Sequence, residues 1–454
     1  MSGISVVGLG KLGACIAAAL ADKGFDVVGV DADERVVAAL NAGRPPVHEP
    51  GLAKAIAASS DRLRATTGHR EAVLATEATL IIVPTPSEPH GGFSLRHVNA
   101  VGESVGAALR EKDGYHLVVL TSTVLPGATQ GELLPILEAA SGKECGAGFG
   151  LCYSPEFIAL GSVLHDFLNP DLVLIGESDE RAGEQLAGIY RRVLDKDAPI
   201  QRMAIANAEL AKISLNTFVT TRITFANMLA EMCERLPEGD VDAVTTALGL
   251  DSRVGPRYFE AGLGFGGPCF PRDNDALRFW SSAVGVPAPI AGSTNELNHE
   301  LGRGVVAKVA ERCGPESTVA VLGLSYKPGS PVLEGSVPLE LATALAGRGF
   351  QVVAFDPLSD AFEAGAIDDR IRLVRSLQEA VGAADVVVIA NADPAFAALG
   401  PDDLPGRPLV VFDCWRLLRV RLEGAPNVEY VALGLGPSAR ASRTADALRA
   451  GAAS

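Results

Sequence analysis

A chain of 454 residues, 48% of them hydrophobic, is long enough for two or three domains with substantial cores. A formal net charge of −16 and the lack of any basic tract argue against a nucleic-acid or anionic-membrane partner. Seven cysteines without metal-ligand spacing, an N-terminus that enters a strand pattern directly and no apolar run of bilayer-spanning length lead us to expect a reduced, cytoplasmic, metal-free protein.

Residues 4–7 read as a short buried strand, 14–23 as a helix and 25–30 as a second strand ending in Asp31. The connection Gly8-Leu-Gly10-Lys-Leu-Gly13 turns this unit into a dinucleotide site: Gly8 for a tight turn, Gly10 for approach of the pyrophosphate, Gly13 for close packing of helix on strand. Asp31 would accept hydrogen bonds from the ribose hydroxyls and repel a 2′-phosphate, so NAD is expected. Arg35 is the one neighbour that would favour NADP. Further strands at 79–83 and 116–120 run into Pro84-Thr-Pro86 and Thr121-Ser-Thr123. At the carboxyl ends of a parallel sheet these segments would border the cofactor, although on spacing alone ordinary loop punctuation is the better reading. A strand at 150–153 leads to Ser154-Pro-Glu156, where Glu156 is a candidate base.

Residues 204–236 have helical periodicity without internal proline or glycine, and Pro237 and Gly239 should end the helix. Such a helix would be roughly 50 Å long. Ile205, Leu210, Ile213, Met228, Leu229 and Met232 give it apolar surface, which suggests a domain connector and the core of a dimer. Lys212 and Asn216 share one of its faces. Helices are also expected at 241–248, 273–284 and 289–313. Between them lies Gly262-Leu-Gly-Phe-Gly-Gly-Pro-Cys-Phe-Pro-Arg-Asp273. Its glycines would leave the Cys269 sulfur unshielded, and with Pro271 opening a helix, Asp273 would stay near it. The competing reading makes Cys269 a small buried hydrophobe.

A second α/β unit begins at Thr318, with strands at 319–322, 349–356, 385–389 and 408–412. Residues 349–356 echo 24–31, so the unit looks like a duplicated nucleotide-binding fold that has lost the full glycine turn. Lys327 stands where phosphates would lie. The fold class is α/β: two Rossmann-like doubly wound domains joined by a long central helix and an all-helical middle domain. We expect an NAD-binding domain over 1–203, a helical dimerisation domain over 204–313, a second nucleotide-binding domain over 314–436 and a disordered tail over 437–454.

The motif order GLGKLG, Glu49-Pro-Gly-Leu52, VPTP, TSTVLPG, SPEF, AELAKISLN, GFGGPCFPRD and LGLSYK resembles the nucleotide-sugar 6-dehydrogenase family, over residues 4–417. That family includes UDP-glucose, UDP-N-acetylhexosamine and GDP-mannose dehydrogenases. The resemblance implies four-electron oxidation of a sugar C6 hydroxymethyl group, UDP-glucose to UDP-glucuronate in the first instance, through a thiohemiacetal and thioester on Cys269. It implies that Lys212 and Asn216 stabilise an alkoxide, that Asp273 and Thr123 orient water, and that Glu156 is a general base. Cofactor contacts fall on Gly8, Gly10, Lys11, Leu12, Gly13, Asp31, Pro84, Thr85, Thr123 and Arg272. Substrate contacts fall on Phe157, Leu160, Gly161, Lys212, Asn216, Phe265, Gly266, Lys327 and Arg416. Arg253 would reach the sugar of a neighbouring subunit, which implies a homodimer or higher homo-oligomer.

Four positions depart from the family pattern. Leu160 stands where glucose-type members often carry an acid, Leu333 where an arginine is usual, Lys11 where a tyrosine is common, and Cys414-Trp415-Arg416 replaces a Gly-Arg pair. GDP-mannose or UDP-N-acetylhexosamine oxidation, two-electron β-hydroxyacid oxidation and nucleotide binding without turnover are the alternatives.

Overall fold

The computed structural model describes residues 2–437, so the expected disordered tail lies, beyond Pro437, outside the described residues. The chain forms two compact units, one from residues up to 215 with 279–286, the other from 216–278 with those from 287 onward.

The first unit is built on eight strands: β1 (Gly3–Val7), β2 (Asp26–Val30), β3 (Leu63–Thr66), β4 (Ala78–Ile81), β5 (His116–Leu120), β6 (Phe149–Tyr153), β7 (Val173–Glu177) and β8 (Ile200–Ala204). Their order is β3-β2-β1-β4-β5-β6-β7-β8. Neighbours run parallel except β6 and β7, which are antiparallel. The inner strands β1, β4, β5 and β6 are buried along their whole length. A parallel strand covered on both faces reads as a continuous apolar run, and so these strands were legible within one or two residues. β3 and β8 are edge strands carrying Arg64, Gln201 and Arg202, and they gave no such run. The helix Lys11–Asp22 is alanine-rich because nine of its twelve residues are buried.

The second unit carries β9 (Thr318–Leu322), β10 (Gln351–Phe355), β11 (Ile371–Leu373), β12 (Val386–Ile389), β13 (Leu409–Asp413) and β14 (Val428–Ala432). Their order, β11-β10-β9-β12-β13-β14, all parallel, repeats that of the first six strands of the first sheet.

The helical stretch differs from expectation at the end of its long helix. The long helix, Ile205–Cys233, stops before Pro237. There Leu236 N–H bonds to Cys233 O and Glu238 takes a φ of 58°. A Cβ on Gly239 would lie 2.1 Å from the Cys233 carbonyl oxygen, so the chain turns back tightly on the helix end. The helices' own core cluster is Ala226, Ala230, Cys233, Val241, Phe259 and Ala261, whereas Leu263, Val305, Val306 and Val309 join the core of the second sheet. Among the described residues no helix is long and apolar enough to cross a membrane, and no group of three or more His, Cys, Asp or Glu is placed to hold a metal ion.

A polar knot lies inside the first sheet. Ser5 Oγ and Thr79 Oγ1 are 2.7 Å apart, and Thr79 Oγ1 is 2.8 Å from His116 Nε2. His116 is fully buried, and burial, helped by the Lys112 and Lys143 charges, pushes its pKa down to about 3. A neutral histidine in the fold that would be protonated in the unfolded chain contributes stability above its unfolded pKa of about 6.5. That contribution is lost as pH falls toward the folded value. Replacing His116 by Gln should therefore flatten the decline of the urea midpoint between pH 6.5 and 4.5. Equal slopes for variant and wild type would contradict a neutral buried His116.

Candidate active site

At the carboxyl end of β1 the three glycines have three separate physical reasons. Gly8 has a φ of 93°, and a Cβ there would lie 2.3 Å from Ile82 O. A Cβ on Gly13 would lie 1.8 Å from Gly8 O, whereas one on Gly10 would meet nothing within 4 Å. Gly10 is also the N-cap of Lys11–Asp22, with no side chain capping it, so the helix's first N–H groups face an open approach suited to a pyrophosphate. Lys11 is exposed beside it and Leu12 half-buried.

Half-buried Asp31 accepts Leu9 N–H at 2.8 Å on one oxygen and Asp33 N–H at 2.9 Å on the other. A carboxylate has about four acceptor positions, so two remain for a pair of ribose hydroxyls. Arg35 forks onto Asp33, with Nε 3.0 Å and Nη2 2.7 Å from its oxygens, which cancels the one feature that favoured NADP. These residues fit NAD.

The exits of β4 and β5 are stapled together. Ser122 Oγ accepts from Val83 N at 3.0 Å and donates to Val83 O at 2.7 Å, and Thr85 Oγ1 donates to Thr123 O at 2.8 Å. Thr85 is buried, Pro84 exposed and Thr123 half-buried. This is a rigid ledge at the strand ends rather than loose punctuation.

Two residues of the long helix hold the chain beyond β5 and β6. The buried carboxylate of Glu209 accepts Gly127 N–H at 2.6 Å and Thr129 N–H at 2.9 Å. Burial raises its pKa against those bonds. One turn on, the Lys212 ammonium donates to Glu156 O at 2.6 Å and lies 4.6 Å from the centre of the Phe157 ring. The Glu156 side chain accepts from Tyr190 O–H at 3.0 Å. Burial raises the Glu156 carboxyl from 4.5 to about 7, opposed by the Tyr190 hydrogen bond and the Lys212 charge. Leu160 packs against the first unit's core, and Gly161 turns the chain at a φ of 93°. Neither Glu209 nor Tyr190 was singled out from sequence. The only signal for Glu209 was an acid in the first turns of an otherwise apolar helix.

In the second unit, Cys269 is exposed immediately before the helix Phe270–Ala283. Asp273, in the first turn, donates its N–H to Cys269 O at 2.9 Å. Its carboxylate is buried, accepts from Asn216 Nδ2 at 2.7 Å and lies 3.5 Å from Arg272 Nε. The glycines before Cys269 serve packing as much as openness. A Cβ on Gly266 would lie 2.3 Å from Gly335 O, and one on Gly267 2.6 Å from the Tyr326 ring. Gly267 N–H bonds to Gly335 O at 3.0 Å.

The helix Pro289–Ala310 clasps this loop from both sides. Asn298 accepts Phe265 N–H at 2.9 Å and donates to Phe265 O at 2.8 Å, while Asn295 donates to Pro271 O at 3.0 Å. Phe265 is buried edge-on to Phe270. Sequence reasoning missed both asparagines, since an amide on a helix has no spacing signature for a loop far along the chain.

In the second sheet, Asp356 occupies the place of Asp31, but it is buried, and one of its oxygens takes Leu324 N–H, Ser325 N–H and Ser325 O–H at 2.8, 2.9 and 2.9 Å. Lys327 is half-buried, 5.8 Å from the Tyr326 ring centre. Arg416, expected at the substrate, is instead an internal tie. Its three guanidinium nitrogens donate to Asp242 Oδ2, Leu433 O and Ala261 O at 2.8, 3.0 and 2.8 Å, and its side chain is 5% exposed. Leu333 packs against the second core. Arg253 is exposed and forked onto Asp251.

Three family models match in chain order: the NAD-binding domain of the UDP-glucose/GDP-mannose dehydrogenase family over residues 2–194, its central domain over 206–300 and its UDP-binding domain over 320–420. The UDP-glucose 6-dehydrogenase of Haloferax volcanii is 37% identical across 93% of this chain and 98% of its own. The GDP-mannose 6-dehydrogenase of Azotobacter vinelandii is also 37% identical, across 90% of this chain and 95% of its own. The structure of a UDP-glucose dehydrogenase from Pyrobaculum islandicum superposes with a TM-score of 0.87 at 36% identity, covering 96% of this chain and 98% of that one.

Asn298→Ala leaves the Phe265 N–H and C=O buried without partners, and should cost about 2–4 kcal/mol in urea unfolding. A loss under 1 kcal/mol would show that the clasp is not what holds the loop.

Proposed function

This chain belongs to the UDP-glucose/GDP-mannose dehydrogenase family, and from that premise we propose that it oxidises the C6 hydroxymethyl group of UDP-glucose to a carboxylate through a thioester on Cys269. It is an NAD-dependent nucleotide-sugar 6-dehydrogenase. The observation that carries the covalent reading is Cys269, exposed at the start of a helix with the buried Asp273–Asn216 pair one turn on. A helix N-terminus favours negative charge, as on an attacking sulfur.

NAD, when bound, supplies the hydride acceptor for both oxidations. Lys212 and Asn216 stabilise the C6 oxygen as it becomes an alkoxide, its proton passing to solvent water, and hydride leaves carbon, giving an aldehyde. The Cys269 sulfur then bonds to the aldehyde carbon, and the thiol proton goes to the carbonyl oxygen. Loss of a second hydride and the hydroxyl proton leaves a thioester. Water, oriented by Thr123 and Asp273, attacks the thioester carbon while Glu156 takes its proton. The carbon–sulfur bond breaks, and water has supplied the second carboxylate oxygen. A Glu156 carboxyl near 7 supports a base that works close to neutral pH. Lys327 is assigned to the diphosphate.

UDP-glucose is favoured by the near-complete superposition on the Pyrobaculum islandicum enzyme. GDP-mannose is the second reading, because the Azotobacter vinelandii relative is equally identical in sequence. A homodimer is also proposed, with Arg253 reaching the partner's sugar. Its support is Phe218, Phe225 and Met232 on the long helix and Leu250 at the end of the helix Val241–Leu250, which are 61, 45, 52 and 83% exposed.

With UDP-glucose or GDP-mannose, two NADH should form per acid released, and Cys269→Ser should lower acid formation by about 10³-fold or more. One NADH with an accumulating aldehyde, or full turnover in Cys269→Ala, would reject the thioester route. Phe218→Glu should halve the mass seen by sedimentation, and an unchanged mass would remove Phe218 from the dimer contact.

A further inference from the structure

The role proposed for Glu156 leaves open how a carboxyl group that has lost much of its water still ionises. Three hydroxyl-bearing or carbonyl groups lie in line behind it. Tyr190 O–H is 3.0 Å from Glu156 Oε1, Ser154 Oγ is 2.9 Å from the Tyr190 oxygen, and Ser154 Oγ donates to Leu174 O at 2.9 Å. Ser154 is fully buried and Tyr190 nearly so, with its ring packed 6.4 Å from that of Phe167. We propose that Tyr190, backed by Ser154, is a positioning residue that orients the Glu156 carboxyl and stabilises its ionised form through a reversible hydrogen-bond relay.

The proton count closes in both states. With Glu156 ionised, Tyr190 donates to the carboxylate, and Ser154 donates to the Tyr190 oxygen or to Leu174 O. With Glu156 protonated, as after it accepts a proton from the attacking water, the carboxyl O–H donates to Tyr190, Tyr190 to Ser154, and Ser154 to Leu174 O. Two hydroxyl rotations connect the states, no heavy atom needs to move, and every proton keeps an acceptor. The titratable and charged groups facing the carboxyl are Tyr190 on the helix Glu180–Val193 and Lys212 on the long helix, with Cys152 behind Tyr190 on β6. Lys212 meets Glu156 through the backbone carbonyl, so the hydrogen bond to the carboxyl itself comes from Tyr190. Burial and the neighbouring Glu156 charge hold the Tyr190 phenol well above its ordinary value, so it serves as a donor throughout the neutral range.

This relay rests on Glu156 as the hydrolytic base, and the experiment separates the two ideas. The carboxyl stretch of Glu156 is isolated as the infrared difference between wild type and Glu156→Gln, and followed against pH without substrate. It should titrate near pH 7 in the wild type. In Tyr190→Phe, which keeps the ring and its packing, it should titrate about one pH unit higher, because a donor to the charged form is lost. Ser154→Ala should shift it the same way by less. With UDP-glucose or GDP-mannose, whichever turns over, the acid limb of kcat should move with the infrared titration. An unmoved titration in Tyr190→Phe overturns the relay, as does a wild-type difference spectrum with no carboxyl titrating near neutrality. If Tyr190→Phe moves the titration but Glu156→Gln still hydrolyses the thioester at the wild-type rate, the relay stands and the base assignment fails.

Discussion

A buried ammonium ion must be given acceptors, and the first unit meets that demand with backbone. Lys212 spends one N–H on the carbonyl oxygen of Glu156 and rests on the ring of Phe157. One turn earlier, Glu209 does the converse and takes two backbone N–H groups from the loop after β5. The same helical face therefore grips the exits of β5 and β6 with charges of opposite sign. Lys212 is thus a structural tie, and Glu156 is held through its main chain while its carboxyl answers to Tyr190.

The second unit solves a similar problem with neutral groups. The loop that carries Cys269 is clamped before and after the cysteine by Asn298 and Asn295, and its glycines are filled against Gly335 and Tyr326. Amides suit this task because one side chain offers both a donor and an acceptor, so Asn298 satisfies both backbone groups of Phe265. The loop is thus rigid where it meets protein and exposed where the sulfur emerges. Openness at Cys269 follows from backbone packing elsewhere in the loop, not from a lack of neighbours.

The two sheets show how a duplicated fold divides its labour. Both place an aspartate at the end of the second strand in order of the chain, and both use it to hold the turn after the first. Asp31 keeps part of its surface and spare acceptor positions. Asp356 is buried, with three donors on one oxygen. The first can still meet a ribose, whereas the second has become part of the core. Arg416 followed the same course, from an expected ligand contact to an internal tie.

The sequence by itself determined whatever is encoded locally. The inner strands β1, β4, β5 and β6 were legible as apolar runs, although the inner strand β7 was not, the dinucleotide turn as three glycines and an acid at fixed spacing, and the cysteine loop as a glycine cluster running into a helix. Those signals survive because strand burial, turn geometry and helix initiation depend on neighbours in the chain. The edge strands β3 and β8 were lost because half-exposed strands carry charge. Only the tertiary structure decided that the helical stretch shares a core with the second sheet and that Arg416 is consumed internally. It alone revealed that Tyr190, Glu209, Asn295 and Asn298 serve loops remote in sequence. A hydrogen bond between residues tens of positions apart leaves no periodic trace, since its partners need only the right atoms and have no fixed spacing.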